Sequence, residues 1–173
     1  LIEKIAYLGM PNVRFEVNIS PLKDFSTTGK DEIQFLFSAN KNQPLKPAGE
    51  VASGGEISRL MLSIKALIAQ AKTLPTIIFD EIDTGISGDI ADRMGAVMEE
   101  MSHHLQVITI THLPQVAGKG DAHFKVYKED SETETTTHIN QLLGDERVHE
   151  IARMLSGAKI TEQAIANAKT LMK

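Results

Sequence analysis

The sequence of 173 residues has no cysteine and no tryptophan, and it has only two tyrosines. The lack of cysteine excludes disulfide bonds and thiolate metal sites, and it is compatible with a reducing cytoplasm. No apolar run approaches the roughly 20 residues that a membrane-spanning helix needs. The chain has no signal peptide and begins at Leu1 rather than at methionine, so we expect a fragment or a processed product.

Clustered positive charge is also missing. The chain carries 18 basic and 23 acidic residues, which gives a formal net charge of -5 at pH 7. Binding to nucleic-acid phosphates needs clustered lysine and arginine, so this composition argues against a free-standing DNA-binding surface. A hydrophobic content of 42% suffices for one core, or for part of a core whose other half lies elsewhere.

Two common ligand-binding patterns are absent as well. A phosphate-binding loop GxxxxGK[ST] aligned on Gly29-Lys30 would need glycine at Asp24 and a hydroxyl residue at Asp31, and both positions fail. The histidines outside the motifs discussed below lack the spacing of a zinc site. They are His103, His104, His123, His138 and His149. We therefore propose no metal site among these histidines.

The stretch from Thr76 to Gly88, TIIFDEIDTGISG, organises the rest of the chain. Its first four residues form a short apolar run, which is typical of a parallel strand buried on both faces. The run ends in Asp80-Glu81, at the place where open α/β sheets bind their ligands. Adjacent carboxylates repel each other unless a cation or a substrate uses them. This stretch therefore predicts a divalent metal bound to nucleotide.

Periodicity predicts the helices and strands on either side of this stretch. Leu1, Ile5 and Leu8 have helical spacing, and Ser53 stands at the N-cap position of a helix that continues to about residue 71. The other predicted elements are strands at 13–19 and 33–37, paired as an antiparallel hairpin through a polar loop at 20–31; an irregular loop at 40–51; a helix at 90–101; a buried strand at 105–110; strands at 122–127 and 135–142 around an acidic loop at 128–134; and helices at 146–155 and 161–172. The strand at 105–110 is followed by Thr111-His112. We therefore expect His112 at the same sheet edge as Asp80.

Three motifs in a fixed order carry a resemblance to a known family. They are Ser53-Gly54-Gly55-Glu56 before a helix, a strand ending in Asp80-Glu81, and a strand ending in Thr111-His112. In this order they resemble the carboxyl-terminal lobe of an ABC-type ATPase head. Five segments are similar to the RecN family, which comprises bacterial DNA-repair relatives of the SMC proteins. They are VASGGEISRLMLSIKALIA, FDEIDTGISG, ITHLPQVA, ARMLSG and TEQAIANAKTLM.

The resemblance implies an α/β fold of the P-loop NTPase class. This is the carboxyl-terminal lobe of an ABC/SMC-type ATPase head, with a parallel core sheet, helices on its faces and flanking antiparallel strands. Residues 1–9 would be the end of a helix or coiled coil, and residues 10–173 the lobe. Since the family's phosphate-binding loop (Walker A) is absent, we expect this chain to hold part of an ATP site and to be inactive alone. Glu56, where transporters usually carry glutamine, favours the SMC-like branch.

The resemblance also implies a role for each motif. Asp80 would hold the Mg²⁺ of ATP, Glu81 would act as the general base on water, and His112 would contact the γ-phosphate. The signature motif would bind ATP that is held mainly by a second head. It comprises Ser53, Gly54, Gly55 and Glu56. Asp83 would lie in the loop that crosses to that partner head.

The implied activity is ATP binding and hydrolysis that drives head dimerisation in DNA double-strand break repair and recombination, in the bacterial cytoplasm at the nucleoid. The implied partners are the amino-terminal ATPase lobe of the same protein, a second head, and DNA in the intact protein, with no membrane. Another SMC-like or RecF-like DNA ATPase head, or a non-catalytic dimerisation module, remains an alternative. Taken singly, each motif also has a structural explanation, as a helix cap at Ser53, a pair of solvated acids at Asp80-Glu81 and a turn histidine at His112.

Overall fold

A computed structural model of the chain describes residues 1–50, 53–71, 74–131 and 133–172. The chain divides into two units, each with its own internal packing. The first comprises Leu1–Pro75 and Ile82–Ile86, and the second comprises Thr76–Glu81 and Ser87–Lys173. The predicted motifs therefore lie in both units. Within the described ranges, no helix is long and apolar enough to cross a membrane.

The first unit joins a small antiparallel sheet to one long helix. Its elements are α1 (Ile2–Tyr7), β1 (Arg14–Ser26), β2 (Gly29–Ser38), β3 (Lys46–Pro47), a 3₁₀ turn (Ala48–Glu50) and α2 (Gly54–Ala71). The three strands follow the order β1-β2-β3. The predicted hairpin and both predicted helices are confirmed, because their apolar residues have the period of the element they occupy.

The hairpin β1–β2 is longer than its sequence pattern indicates. The predicted polar loop at 20–31 is wrong, since pairing continues to Pro21 opposite Asp31 and, after an irregularity, to Ser26 opposite Gly29. The turn is held by Ser26 Oγ, which donates to the carbonyl of Gly29 at 2.8 Å. Gly29 has a φ of 122°, which favours glycine. Polar side chains do not interrupt the hairpin because main-chain groups make the pairing.

The core of the first unit lies at the open end of this hairpin. Phe15 stands opposite Phe37, followed by Val17 opposite Phe35 and Ile19 opposite Ile33. The buried residues that pack together are Ile5, Met10, Val13, Phe37, Ala39 and Leu60. The apolar face of the hairpin is covered at Phe37, which is 0% exposed, and is open at Ile19, which is 62% exposed.

The second unit combines a parallel strand pair with a hairpin and four helices among its described residues. Its elements are β4 (Thr76–Asp80), α3 (Gly88–Ser102), β5 (Gln106–Ile110), α4 (Pro114–Lys119), β6 (His123–Asp130), β7 (Thr135–Leu142), α5 (Gly144–Ser156) and α6 (Glu162–Leu171). β4 and β5 are parallel, and β6 and β7 are antiparallel. A separate small core joins the last two helices through Ile151, Ala152, Ala164 and Ala168.

The strand β4 is covered on one face only by the described chain. Phe79 is fully buried, and on the same face Thr109 Oγ1 of β5 donates to Met98 Sδ of α3 at 3.6 Å. On the opposite face Ile78, Ile108 and Ile110 are 57%, 41% and 52% exposed. The prediction of burial on both faces is therefore wrong for this chain, because the apolar run supplies two hydrophobic faces and the described residues cover one.

Two further differences from the sequence pattern concern short segments. The helix α4 was not predicted, because six residues give too few turns for a periodic signal even though Pro114 occupies its first turn. The acidic loop predicted at 128–134 is shorter, since β6 continues to Asp130 and the Ser131 amide donates to the Glu134 carbonyl at 2.8 Å.

A carboxylate on α5 ties this helix to the hairpin β6–β7. Glu150 Oε2 accepts a hydrogen bond from Lys125 Nζ at 2.8 Å, and Arg153 of the next helical turn binds both carboxylate oxygens. Burial raises the pKa of Glu150, but the hydrogen bonds from Arg153 and Lys125 together outweigh it, so the pKa lies below its ordinary value of 4.5. Folding therefore favours the ionised carboxylate.

We expect Phe37→Ala to destabilise the fold by about 3–5 kcal/mol, because it leaves a cavity in the first core. Phe25→Ala is the matched control on the same hairpin, since Phe25 is 82% exposed and contacts the Lys30 ammonium 5.5 Å from its ring centroid. The control should cost less than about 1 kcal/mol. Urea unfolding of both variants measures the difference, and equal losses would contradict the assignment of the core.

We expect the stability difference between the natural protein and Glu150→Gln to depend on pH. A depressed carboxyl pKa contributes stability above the unfolded value, and this contribution is lost as pH falls through the folded value. The difference in free energy of unfolding should therefore be largest near neutral pH and shrink below pH 4.5. Glu16→Gln removes an exposed carboxylate from β1 and serves as the control. A constant difference across this pH range would contradict the ion-pair assignment.

Candidate active site at the end of the parallel strands

The carboxyl ends of β4 and β5 lie side by side. The register pairs Thr76 with Gln106 and continues to Asp80 opposite Ile110. Beyond the last pair, the Glu81 amide donates to the Ile110 carbonyl at 3.1 Å. Glu81 has a φ of 47°, in the left-handed region that residues other than glycine seldom adopt. The chain thus turns abruptly at Glu81, and both Asp80 and Glu81 are exposed at the sheet edge.

His112 follows the end of the neighbouring strand. The Leu113 amide donates to Thr111 Oγ1 at 2.9 Å, which closes a tight turn around His112. His112 is exposed, and α4 begins two residues later. The structure therefore brings Asp80, Glu81 and His112 to one edge of the parallel strand pair, as the sequence predicts.

The predicted signature motif occupies the first turn of α2. Ser53 Oγ accepts a hydrogen bond from the Glu56 amide at 3.3 Å, and the Ser53 carbonyl accepts from the Ile57 amide at 3.2 Å. Ser53 is therefore the N-cap, as predicted. Ser53 and Gly54 are exposed, whereas Gly55 is buried. An exposed hydroxyl and glycine at a helix amino terminus suit close approach by an anion.

Gly55 packs against the loop that carries Asp83. A Cβ at Gly55 would lie 3.2 Å from the Gly85 carbonyl oxygen and 3.6 Å from Ile86 Cγ1. The loop is closed by the Ile86 amide, which donates to the Asp83 carbonyl at 3.1 Å. Asp83 is only 1% exposed, so its side chain is buried, whereas Thr84 and Gly85 form the exposed part of the loop.

The predicted site residues thus form one group in each unit. Asp80, Glu81 and His112 belong to the second unit. The first unit holds Ser53, Gly54, Gly55, Glu56 and Asp83. Among the described residues, no group of three acidic or histidine side chains could hold a metal ion. Magnesium in nucleotide sites needs only one or two carboxylates besides phosphates and water, so the exposed Asp80 fits that requirement.

Arg59 supports the signature turn, which is the turn formed by Ser53, Gly54, Gly55 and Glu56. Sequence patterns did not reveal this arginine. Arg59 Nε donates to the Gly55 carbonyl at 2.9 Å, and its Nη1 donates to the Leu8 carbonyl at 3.1 Å. The spacing from Gly55 to Arg59 is one helical turn, but the contact with Leu8 joins residues far apart in sequence. Arg59 therefore links the first turn of α2 to the end of α1.

No family model matches the sequence, but curated relatives do. DNA repair protein RecN of Rickettsia bellii is 42% identical over 99% of this chain. The RecN proteins of Halalkalibacterium halodurans and Vibrio cholerae are 38% and 41% identical over 98% and 95% of it. The chain is a RecN-family sequence. It spans about a third of these relatives, namely 31%, 31% and 30% of their lengths.

Solved structures confirm the fold class predicted for this RecN-family chain. An SMC head domain with coiled coil and joint from Pyrococcus yayanosii has a TM-score of 0.69 at 21% identity, over 90% of this chain and 28% of that one. A chain from a study of ATP-driven dimerization and DNA-stimulated activation of SMC ATPases has a TM-score of 0.57 at 15% identity, over 91% and 92%. At these identities the likeness establishes the fold, which is that of an SMC-type head lobe.

We expect Gly54→Ala to be tolerated better than Gly55→Ala in the RecN-family fold. Alanine favours helix over glycine by up to about 1 kcal/mol, and a Cβ at Gly54 meets no atom within 4 Å. Gly54→Ala should therefore be neutral or stabilising. Gly55→Ala must displace the Gly85 carbonyl, so it should lose that gain and speed hydrogen exchange at the Ile86 amide. Equal stability and equal exchange in both variants would contradict the close contact.

Proposed function

We propose that this chain forms the carboxyl-terminal head lobe of a RecN-type ATPase that acts in DNA double-strand break repair and recombination. The observation that carries the proposal is the placement of Asp80, Glu81 and His112 at one edge of parallel strands. The names of the relatives, which are DNA repair proteins, support the biological role. ATP and Mg²⁺ are the proposed ligands, and the proposed location is the bacterial cytoplasm at the nucleoid.

Each of the three residues has a distinct chemical role in this proposal. Magnesium, when bound with ATP, neutralises charge on the phosphates. Asp80 would hold the metal, because its carboxylate is fixed at the end of β4. Glu81 would accept the proton of the attacking water, since it is exposed at the left-handed turn just beyond the strand. His112 would contact the γ-phosphate from the end of β5.

The signature turn would serve the ATP of a second head. The exposed Ser53 hydroxyl, Gly54 and the amino terminus of α2 would bind the γ-phosphate of ATP held mainly by that head. Glu56 would belong to the same turn, and the loop around Asp83 would border it. Nucleotide would thus join two heads into a homodimer. A fold relative studied for ATP-driven dimerization supports this arrangement.

The other half of the ATP site would come from the amino-terminal lobe of the same protein. The exposed face of β4 and β5, with Ile78, Ile108 and Ile110, offers an apolar surface for that lobe. Since the sequence has no phosphate-binding loop, the 173-residue chain alone should hydrolyse ATP negligibly. DNA would be contacted by other parts of the intact protein, because the net charge of -5 on this chain does not suit binding to DNA phosphates.

We expect Glu81→Gln and Ser53→Arg to fail in different ways in the full-length protein. Glu81→Gln keeps the shape but removes the base, so ATP should still join the heads while hydrolysis falls by about 100-fold or more. Ser53→Arg places a bulky cation where close approach is needed, so dimerisation and hydrolysis should be lost together.

ATP-dependent dimerisation by light scattering, measured beside phosphate release, distinguishes these outcomes. Ser53→Ala, which removes the hydroxyl without adding bulk, is the control for Ser53→Arg and should retain part of both activities. If Glu81→Gln prevents dimers while Ser53→Arg preserves them, the assignment of the two motifs is wrong.

A further inference from the structure

The short helix α4 is hydrogen-bonded to the turn that holds His112. The carbonyl of Leu113, the residue after His112, accepts hydrogen bonds from the Val116 amide at 3.1 Å and the Ala117 amide at 3.0 Å. The turn around His112 and the first turn of α4 are thus one hydrogen-bonded segment. Any shift of α4 must also move the turn that holds His112.

Backbone contacts on two sides hold α4 in place. A Cβ at Gly118 of α4 would lie 2.7 Å from the Leu171 carbonyl oxygen of α6. A Cβ at Gly95 of α3 would lie 3.2 Å from the Gln115 carbonyl oxygen of α4. A Cβ at Gly118 would therefore force a shift of its neighbour, and a Cβ at Gly95 would need its neighbours to move by a few tenths of an ångström. Helix α4 therefore packs main chain against main chain between α3 and α6.

The carboxyl end of α4 is capped by an arginine from α5. Arg147 Nη2 donates to the carbonyls of Gly118, at 3.0 Å, and Gly120, and Nη1 donates to the carbonyl of Asp121 at 3.4 Å. The last carbonyls of a helix lack partners within the helix and carry partial negative charge, so a guanidinium binds them well. Arg147 thus binds the carbonyls at the carboxyl end of α4 and of the residues that follow it.

We propose that Arg147 is a positioning residue that fixes α4 and, through it, the orientation of His112 at the ATP site. The inference rests on the proposed contact of His112 with the γ-phosphate. It assigns the α5–α6 pair a part in the ATP cycle, since Arg147 lies on α5 and Leu171 on α6. A change that loosens this helix pair would therefore slow hydrolysis without touching nucleotide.

A double-mutant cycle in the full-length protein tests the proposal. Arg147→Ala should lower kcat about 10-fold and leave KM within about twofold, because a group held in a worse position weakens the reaction more than binding. If Arg147 acts through His112, the double variant Arg147→Ala/His112→Ala should be no slower than His112→Ala alone. Losses that multiply in the double variant would overturn the proposal.

Arg153→Ala is the matched control. Arg153 lies on the same helix and pairs with Glu150 rather than with α4, so its loss removes the same charge. The control should keep kcat within about twofold, and equal losses in Arg147→Ala and Arg153→Ala would overturn the proposal. Should Arg147→Ala fail to fold, Arg147→Lys replaces it throughout, because lysine keeps the charge but cannot bind several carbonyls at once.

A readout that needs no ATP separates this inference from the proposed function. Hydrogen exchange at the Val116 and Ala117 amides, and the NMR signal of the His112 ring, should change in Arg147→Ala and not in Arg153→Ala. If these changes appear but His112→Ala leaves hydrolysis intact, Arg147 still positions the turn and the proposed role of His112 is wrong. Unchanged exchange and an unchanged His112 signal would overturn the positioning role itself.

Discussion

The parallel pairing of β4 with β5 is the constraint on which the candidate site depends. It ends both strands at the same level, and the hydrogen bond from the Glu81 amide to the Ile110 carbonyl extends the pairing by one residue. Carboxylates at the end of one strand and an imidazole after the other can meet one ligand only if the two ends coincide. The helix α4 begins at Pro114, only four residues after β5 ends at Ile110, so its placement depends on the same register.

Much of the fold could be predicted because the long elements repeat their pattern many times. α2 and α3 extend over 18 and 15 residues and keep a helical period throughout. The six residues of α4 do not repeat a pattern, and the polar end of β1–β2 gives no alternation, although main-chain pairing continues there. The exposed face of β4 was not predicted for another reason. An apolar run indicates that both faces of a strand are hydrophobic, but it does not show which part of a protein covers each face.

The site residues that could be predicted are those with local signals. A helix cap, an acidic pair after a strand and a histidine in a turn each show within a few residues of sequence. Arg59 and Arg147 leave no such signal, because their guanidinium groups bind main-chain carbonyls of Leu8 and Gly118, which are far from them in sequence. The close contacts at Gly95 and Gly118 leave no local signal either, since they arise from the approach of neighbouring helices.

The left-handed backbone at Glu81 bears on which residue this position favours. An L-residue other than glycine, asparagine or aspartate gives up about 1–2 kcal/mol to hold that conformation. Exchange of Glu81 for glycine would therefore relieve the backbone and stabilise the turn. The proposed role of Glu81 as the general base supplies a reason for glutamate at this position, since the side chain that the chemistry needs is one that this backbone conformation disfavours.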